Sequence, residues 1–98
     1  MHEGHQDHPT EADVRVELTR LWLKHLPVLE TYLRGAIRDA HAREDVLQAT
    51  AEHVSRSFDQ YDRDRPFSAW IVGSAKFRVL DYYRDRQRDR LHFGEGVM

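Results

Sequence analysis

The sequence has no cysteine, which excludes disulfides, thiolate metal sites and cysteine nucleophiles and fits a reducing compartment. No apolar run approaches the ~20 residues that span a bilayer, and no basic segment followed by an apolar one opens the chain. A cytoplasmic location without membrane contact is therefore expected. Glycine and proline are scarce, at five and three. They form no glycine-rich phosphate loop, no segment alternates as a strand, and nothing repeats at a period of about 20 to 50 residues. A Ser-His-Asp order and a nucleophile elbow are also missing, and His25, His41 and His53 fall on different helical faces. Catalysis and a bound cofactor are not expected.

What is present is a charged, helix-patterned chain of 98 residues, enough for one domain with a modest core. The formal charge of -2 conceals an asymmetry. Lys76 to Arg90 holds six basic residues against three acidic ones, a local +3, which leaves the remainder near -5. A basic C-terminal segment can meet phosphate, while the acidic remainder should keep free affinity for nucleic acid low.

The polar opening, residues 1–9, reads as a disordered leader; its His2, His5 and His8 could hold a metal, but a solvated tail is the better reading. Thr10 and Asp13 approximate a capping box. Val14, Leu18, Leu21 and Trp22 then predict a first helix from about Glu11 to His25. Pro27 removes a donor and disfavours helix at Leu26, so a break or kink is expected before a second helix carrying Leu26, Leu29, Leu33, Ala36 and Ile37. After the connector Asp39-Ala40-His41-Ala42, capped by Asp39 or His41, a third helix is expected over about Ala42–Ser57, with Leu47, Thr50, Ala51, Val54 and Phe58 on its core side. Asp45, Gln48 and Glu52 fall on the opposite side. Asp59 to Pro66 alternates charge with almost no apolar anchor and reads as a loop. Phe67 to about Arg90 forms a long final helix, whose core stripe is Phe67, Ile71, Ala75, Val79 and Tyr82. A second stripe carries Trp70, Phe77, Arg84 and Arg88. The expected architecture is all-α, a compact bundle of three to four helices over residues 10–91, with residues 92–98 a flexible tail.

Three ordered segments resemble a known family. Glu44-Asp45-Val46-Leu47-Gln48 resembles the core of sigma factor region 2.2. Phe58-Asp59-Gln60-Tyr61-Asp62, followed by Arg65-Pro66-Phe67-Ser68-Ala69-Trp70-Ile71, resembles region 2.3. Ala75-Lys76 with Leu80-Asp81-Tyr82-Tyr83-Arg84 resembles the opening of region 2.4. Order and spacing agree over about residues 14 to 90, and the pattern is that of an extracytoplasmic-function (ECF) sigma factor of the sigma-70 family. Three positions depart from it: Ala49 follows the glutamine where an acidic residue is usual, Phe77 replaces a common asparagine, and Arg43 replaces an alanine.

The resemblance implies a protein that binds core RNA polymerase, then recognises and melts the promoter -10 element. It implies contact of Asp45, Gln48 and Glu52 with the clamp helices of the polymerase β′ subunit. For the -10 non-template strand it implies Arg63 and Arg65 in the loop, with Trp70, Lys76, Phe77, Arg78, Arg84 and Arg88 on the final helix. An anti-sigma factor is a further implied partner. Blander readings stand beside these: a solvated helix face for Asp45, Gln48 and Glu52, a solvated loop, and aromatics packed under a neighbouring helix. A helical protein-interaction adaptor derived from a sigma factor, without DNA contact, is the alternative function. The aromatic and basic stripe distinguishes the two, because an adaptor has no need of it.

Overall fold

A computed structural model describes residues 9–97, with side chains as far as Leu91. The expected leader with its three histidines lies outside the described residues, apart from the exposed Pro9. Three helices follow: α1 (Glu11–Ala36), α2 (Ala40–Ser57) and α3 (Phe67–Val97), with a 3-10 turn, Phe58–Gln60, extending α2. The fold is all-α, and no strand occurs among the described residues. Among those residues, too, no helix is long and apolar enough to cross a membrane.

The start of α1 is fixed by a reciprocal cap. The Asp13 amide donates to Thr10 Oγ1 at 3.0 Å and the Thr10 amide to Asp13 Oδ2 at 3.2 Å, satisfying two donors that have no partner within the helix. Of the break or kink expected at Pro27, the break does not occur, and α1 runs through it as one helix. The carbonyl that loses its donor belongs to Leu23, four residues earlier, and both Pro27 and Leu23 are exposed. Water can satisfy that oxygen, so proline's cost is lowest on this face. Past Leu91, where a frayed tail is expected, helix continues to Val97. Glycine weakens a helix there but, unlike proline, keeps its N–H donor.

The core is a single cluster drawn from all three helices: Leu29, Leu33 and Ile37; Ala42, Val46 and Val54; Phe58; and Phe67, Ile71, Ala75 and Val79. Each large aliphatic side chain buried here contributes roughly 1.5–3 kcal/mol by leaving water. Thr50 is fully buried among them, and its hydroxyl donates to the Val46 carbonyl at 2.7 Å, so no polar atom is left wanting. Of the stripe expected for α3, Phe67, Ile71, Ala75 and Val79 are buried and Tyr82 is half-buried. On α2 the centre of the buried face is Ala42, Val46, Thr50 and Val54, while Leu47 and Ala51 sit at its half-buried edge.

Two contacts close the α1–α2 corner. Arg43 donates from one guanidinium nitrogen to the carbonyls of Ile37 and Arg38, each at 2.9 Å, and the Tyr83 hydroxyl of α3 donates to the Ala36 carbonyl. Asp39 caps α2 by accepting from the His41 amide at 2.9 Å. Arg43 stands where the resembling family has alanine, and here it serves carbonyls that the end of α1 leaves free. Arg43→Ala is expected to lower stability by about 1 kcal/mol, the worth of a partly exposed charged hydrogen bond. Urea unfolding followed by circular dichroism checks this, and an unchanged midpoint would leave Arg43 without a structural role.

Candidate polymerase and nucleic-acid surfaces

Asp45, Gln48 and Glu52 are all exposed on α2, away from the core. Beside them Gln48, Ala51, Glu52 and Ser55 surround a shallow hollow of about 320 Å³ with Arg56 at its edge. Residues at i, i+3, i+4 and i+7 are the four that frame the hole accepting a knob from a second helix. Alanine forms its floor and polar side chains form its rim. That geometry suits a long side chain with a polar end on a partner helix.

The loop that follows is more ordered than its charge pattern suggests. Tyr61 is its apolar anchor. Its ring stacks on Trp70 with centroids 4.9 Å apart and meets Phe67 edge-on at 5.4 Å, while Phe58 completes the cluster. The Tyr61 hydroxyl donates to the Arg65 carbonyl. Asp62 accepts from the Asp64 amide at 3.0 Å, and the Arg65 amide donates to the Asp62 carbonyl at 3.0 Å, closing a tight turn. Pro66 directly precedes α3, its carbonyl accepting from the Trp70 amide at 3.2 Å; a proline at a helix start gives up no bonded donor.

Between α2, this loop and α3 lies a groove of about 650 Å³. Arg65, Trp70, Phe77 and Arg78 line it, so four of the residues expected to meet DNA are brought together. Trp70 is half-buried against the core and offers only part of its surface, so the stripe is not fully separate from the core as expected. Phe77 is 66% exposed, and this decides against its packing under a neighbouring helix. Arg78 is half-buried and donates to the Ser74 carbonyl at 3.4 Å.

The remaining DNA candidates lie outside the groove. Arg63 turns the other way, paired with Glu17 of α1 and lying over the Phe58 ring at 5.1 Å. Lys76 is exposed on α3. Arg84 and Arg88 are farther along the same helix, 3.3 Å from Asp81 and Asp85 respectively. Both pairs are mostly solvent-exposed and worth about 0–1 kcal/mol at most, so a phosphate can displace either carboxylate. From Tyr83 to Leu91 every residue is exposed, and apart from the Tyr83 hydroxyl on the Ala36 carbonyl this part of α3 presents its side chains to solvent.

Tyr61, His53, Gln60 and Ser74 also line the groove, and none of them is among the contact residues expected from the sequence. For Tyr61 the signal was there, an aromatic in an otherwise charged loop. Placing the others requires knowing how α2 and α3 cross.

The chain matches the Sigma-70 region 2 family over residues 21–89, more than two thirds of its length and all of α2, the loop and α3 as far as Asp89. The chain belongs to this sigma-70 family. The match spans both surfaces just described, and region 2 domains engage core RNA polymerase and promoter DNA. No curated protein and no solved structure matches this region 2 domain.

Proposed function

We propose that this region 2 domain serves an ECF-type sigma factor, docking on core polymerase through α2 and stabilising the melted -10 element through the loop and α3. The observation that carries the DNA half is the exposed Phe77 at the rim of a groove that also presents Trp70, Arg65 and Arg78. Exposing an aromatic ring costs free energy unless a partner covers it. Unpaired bases stack on such rings with little sequence demand, while guanidinium groups hold the phosphates. Opening is favoured because the single strand is bound and the duplex is not, a shift of population in which no bond is made or broken.

For the polymerase half, the exposed Gln48 and Glu52 border a hollow framed for a helix-borne side chain, and Asp45 is exposed on the same helix three residues before Gln48. Carboxylate and amide groups there pair with arginine-type partners, as on the clamp helices of β′. An anti-sigma factor would act by covering either surface.

The free domain is expected to bind duplex DNA poorly and to prefer a single-stranded -10-like strand, chiefly when polymerase presents it. Acidic residues outnumber basic ones in the chain outside α3, so electrostatic attraction alone is weak. Fluorescence anisotropy with duplex and single-stranded probes, with and without core enzyme, tests this across salt concentrations. Tight duplex binding by the free domain would contradict it.

A further inference from the structure

We propose that His53 is a third DNA-contacting element of the groove, a phosphate-binding side chain supplied by α2 whose proton is taken up when the single strand binds. The inference rests on the DNA reading above and adds to it a residue from the helix otherwise assigned to polymerase. His53 follows Glu52 directly, and at 3.6 residues per turn the two point about 100° apart. Glu52 faces outward beside the hollow, while His53 lines the groove opposite Trp70, Ser74 and Phe77. One helix therefore joins the two surfaces.

The charges around the ring favour an anion. Arg78 faces it from α3 and Arg56 lies one turn along its own helix, while from the loop Arg65 and Asp62 line the same groove. Asp62 is engaged by the Asp64 amide and lies 3.8 Å from Arg65, so its charge is partly spent within the loop. Burial first, then Arg78 and Arg56, hold the His53 pKa below the ordinary imidazole value, which keeps the ring neutral in the free domain near neutral pH. A phosphodiester entering beside Arg78 reverses the balance: it offsets the guanidinium charges and offers an acceptor to a protonated ring nitrogen. The imidazolium is then the favoured form, and strand affinity rises as pH falls.

The test uses the chain bound to core polymerase and a labelled single-stranded -10-like oligonucleotide, titrated by anisotropy between about pH 8 and pH 6, the range over which histidine changes charge. The parent is expected to gain about three- to tenfold in affinity, since each unit of pKa rise on binding is worth up to tenfold. His53→Gln is expected to bind at every pH as weakly as the parent does at the alkaline end. His53→Arg, with a fixed charge, is expected to bind there as the parent does at the acid end. A flat profile for the parent, or the same slope in His53→Gln, removes His53 from the contact while leaving the DNA reading intact. Failure of the parent to bind the strand at any pH removes both. Should a variant fail to fold by circular dichroism, the His53 ring is followed by NMR in the parent bound to core polymerase, with and without saturating oligonucleotide. A pKa that rises on binding supports the contact, and one that does not move overturns it.

Discussion

Replacing Asp45 and Gln48 together by alanine is expected to abolish association with core polymerase while changing the melting temperature by no more than about 4 °C. Both side chains are exposed on α2, and the buried face of that helix, Ala42, Val46, Thr50 and Val54, is untouched by the change. Surface substitutions of this kind stay within about 0.5 kcal/mol, and alanine is if anything the better helix former. Interface positions that pair with a charged partner cost about 2 kcal/mol or more each when truncated, because the partner is left desolvated and unpaired. Two such losses weaken binding by on the order of a thousandfold. Titration against labelled core enzyme reads the affinity and circular dichroism the fold. Undiminished binding by a folded double variant would remove α2 as the docking helix, and Glu52 with it.

The second large effect separates two aromatics that the sequence places on one stripe. Trp70→Ala is expected to destabilise the domain by about 2 kcal/mol, lowering its melting temperature by about 10 °C, because the indole is half-buried and stacked on Tyr61. The loop loses its anchor at the same time, so strand binding falls as well. Phe77→Ala is expected to leave stability unchanged, since 66% of Phe77 is exposed, and to weaken single-strand binding by about tenfold, the worth of one stacked base. Thermal melts paired with anisotropy distinguish the two roles. A Phe77→Ala chain that binds the strand as tightly as the parent would show that the exposed ring is not a base platform, and would strengthen the adaptor reading.

Much of the fold was legible because helical periodicity reports burial directly. Phe67, Ile71, Ala75 and Val79 repeat at four-residue steps and are all buried, and the Thr10–Asp13 cap sits at the residue where α1 begins. Pro27 does not end α1 because proline's cost depends on which face the freed carbonyl occupies, and sequence alone does not say that Leu23 faces water. On α2 and the turn extending it, Thr50, Val54 and Phe58 are buried as expected, while Leu47 and Ala51 are only half-buried. Val46 is buried as well, because this helix is clasped by both neighbours and its apolar arc is wide. Asp45, Gln48 and Glu52 remain on the outward face.

The groove was only half legible. Trp70 and Phe77 stood out as aromatics among cations, but the stacking of Tyr61 on Trp70 joins residues nine positions apart through a turn with no periodicity to read. His53 joins from a different helix altogether. Arg63 shows the opposite limit. Its place in a charge-alternating loop that the family resemblance assigns to the non-template strand suggests DNA contact, whereas tertiary structure gives it a carboxylate, Glu17, 46 positions away.

Promoter opening itself is tested most directly by a 2-aminopurine placed in the -10 region of a promoter duplex, whose fluorescence rises when its neighbours unstack. With core polymerase and this domain together the signal is expected to rise, with neither alone, and the rise is expected to be reduced by Phe77→Ala in a domain that still docks. A domain that binds core polymerase yet leaves the fluorescence unchanged would contradict the assignment of the loop and α3 to strand capture.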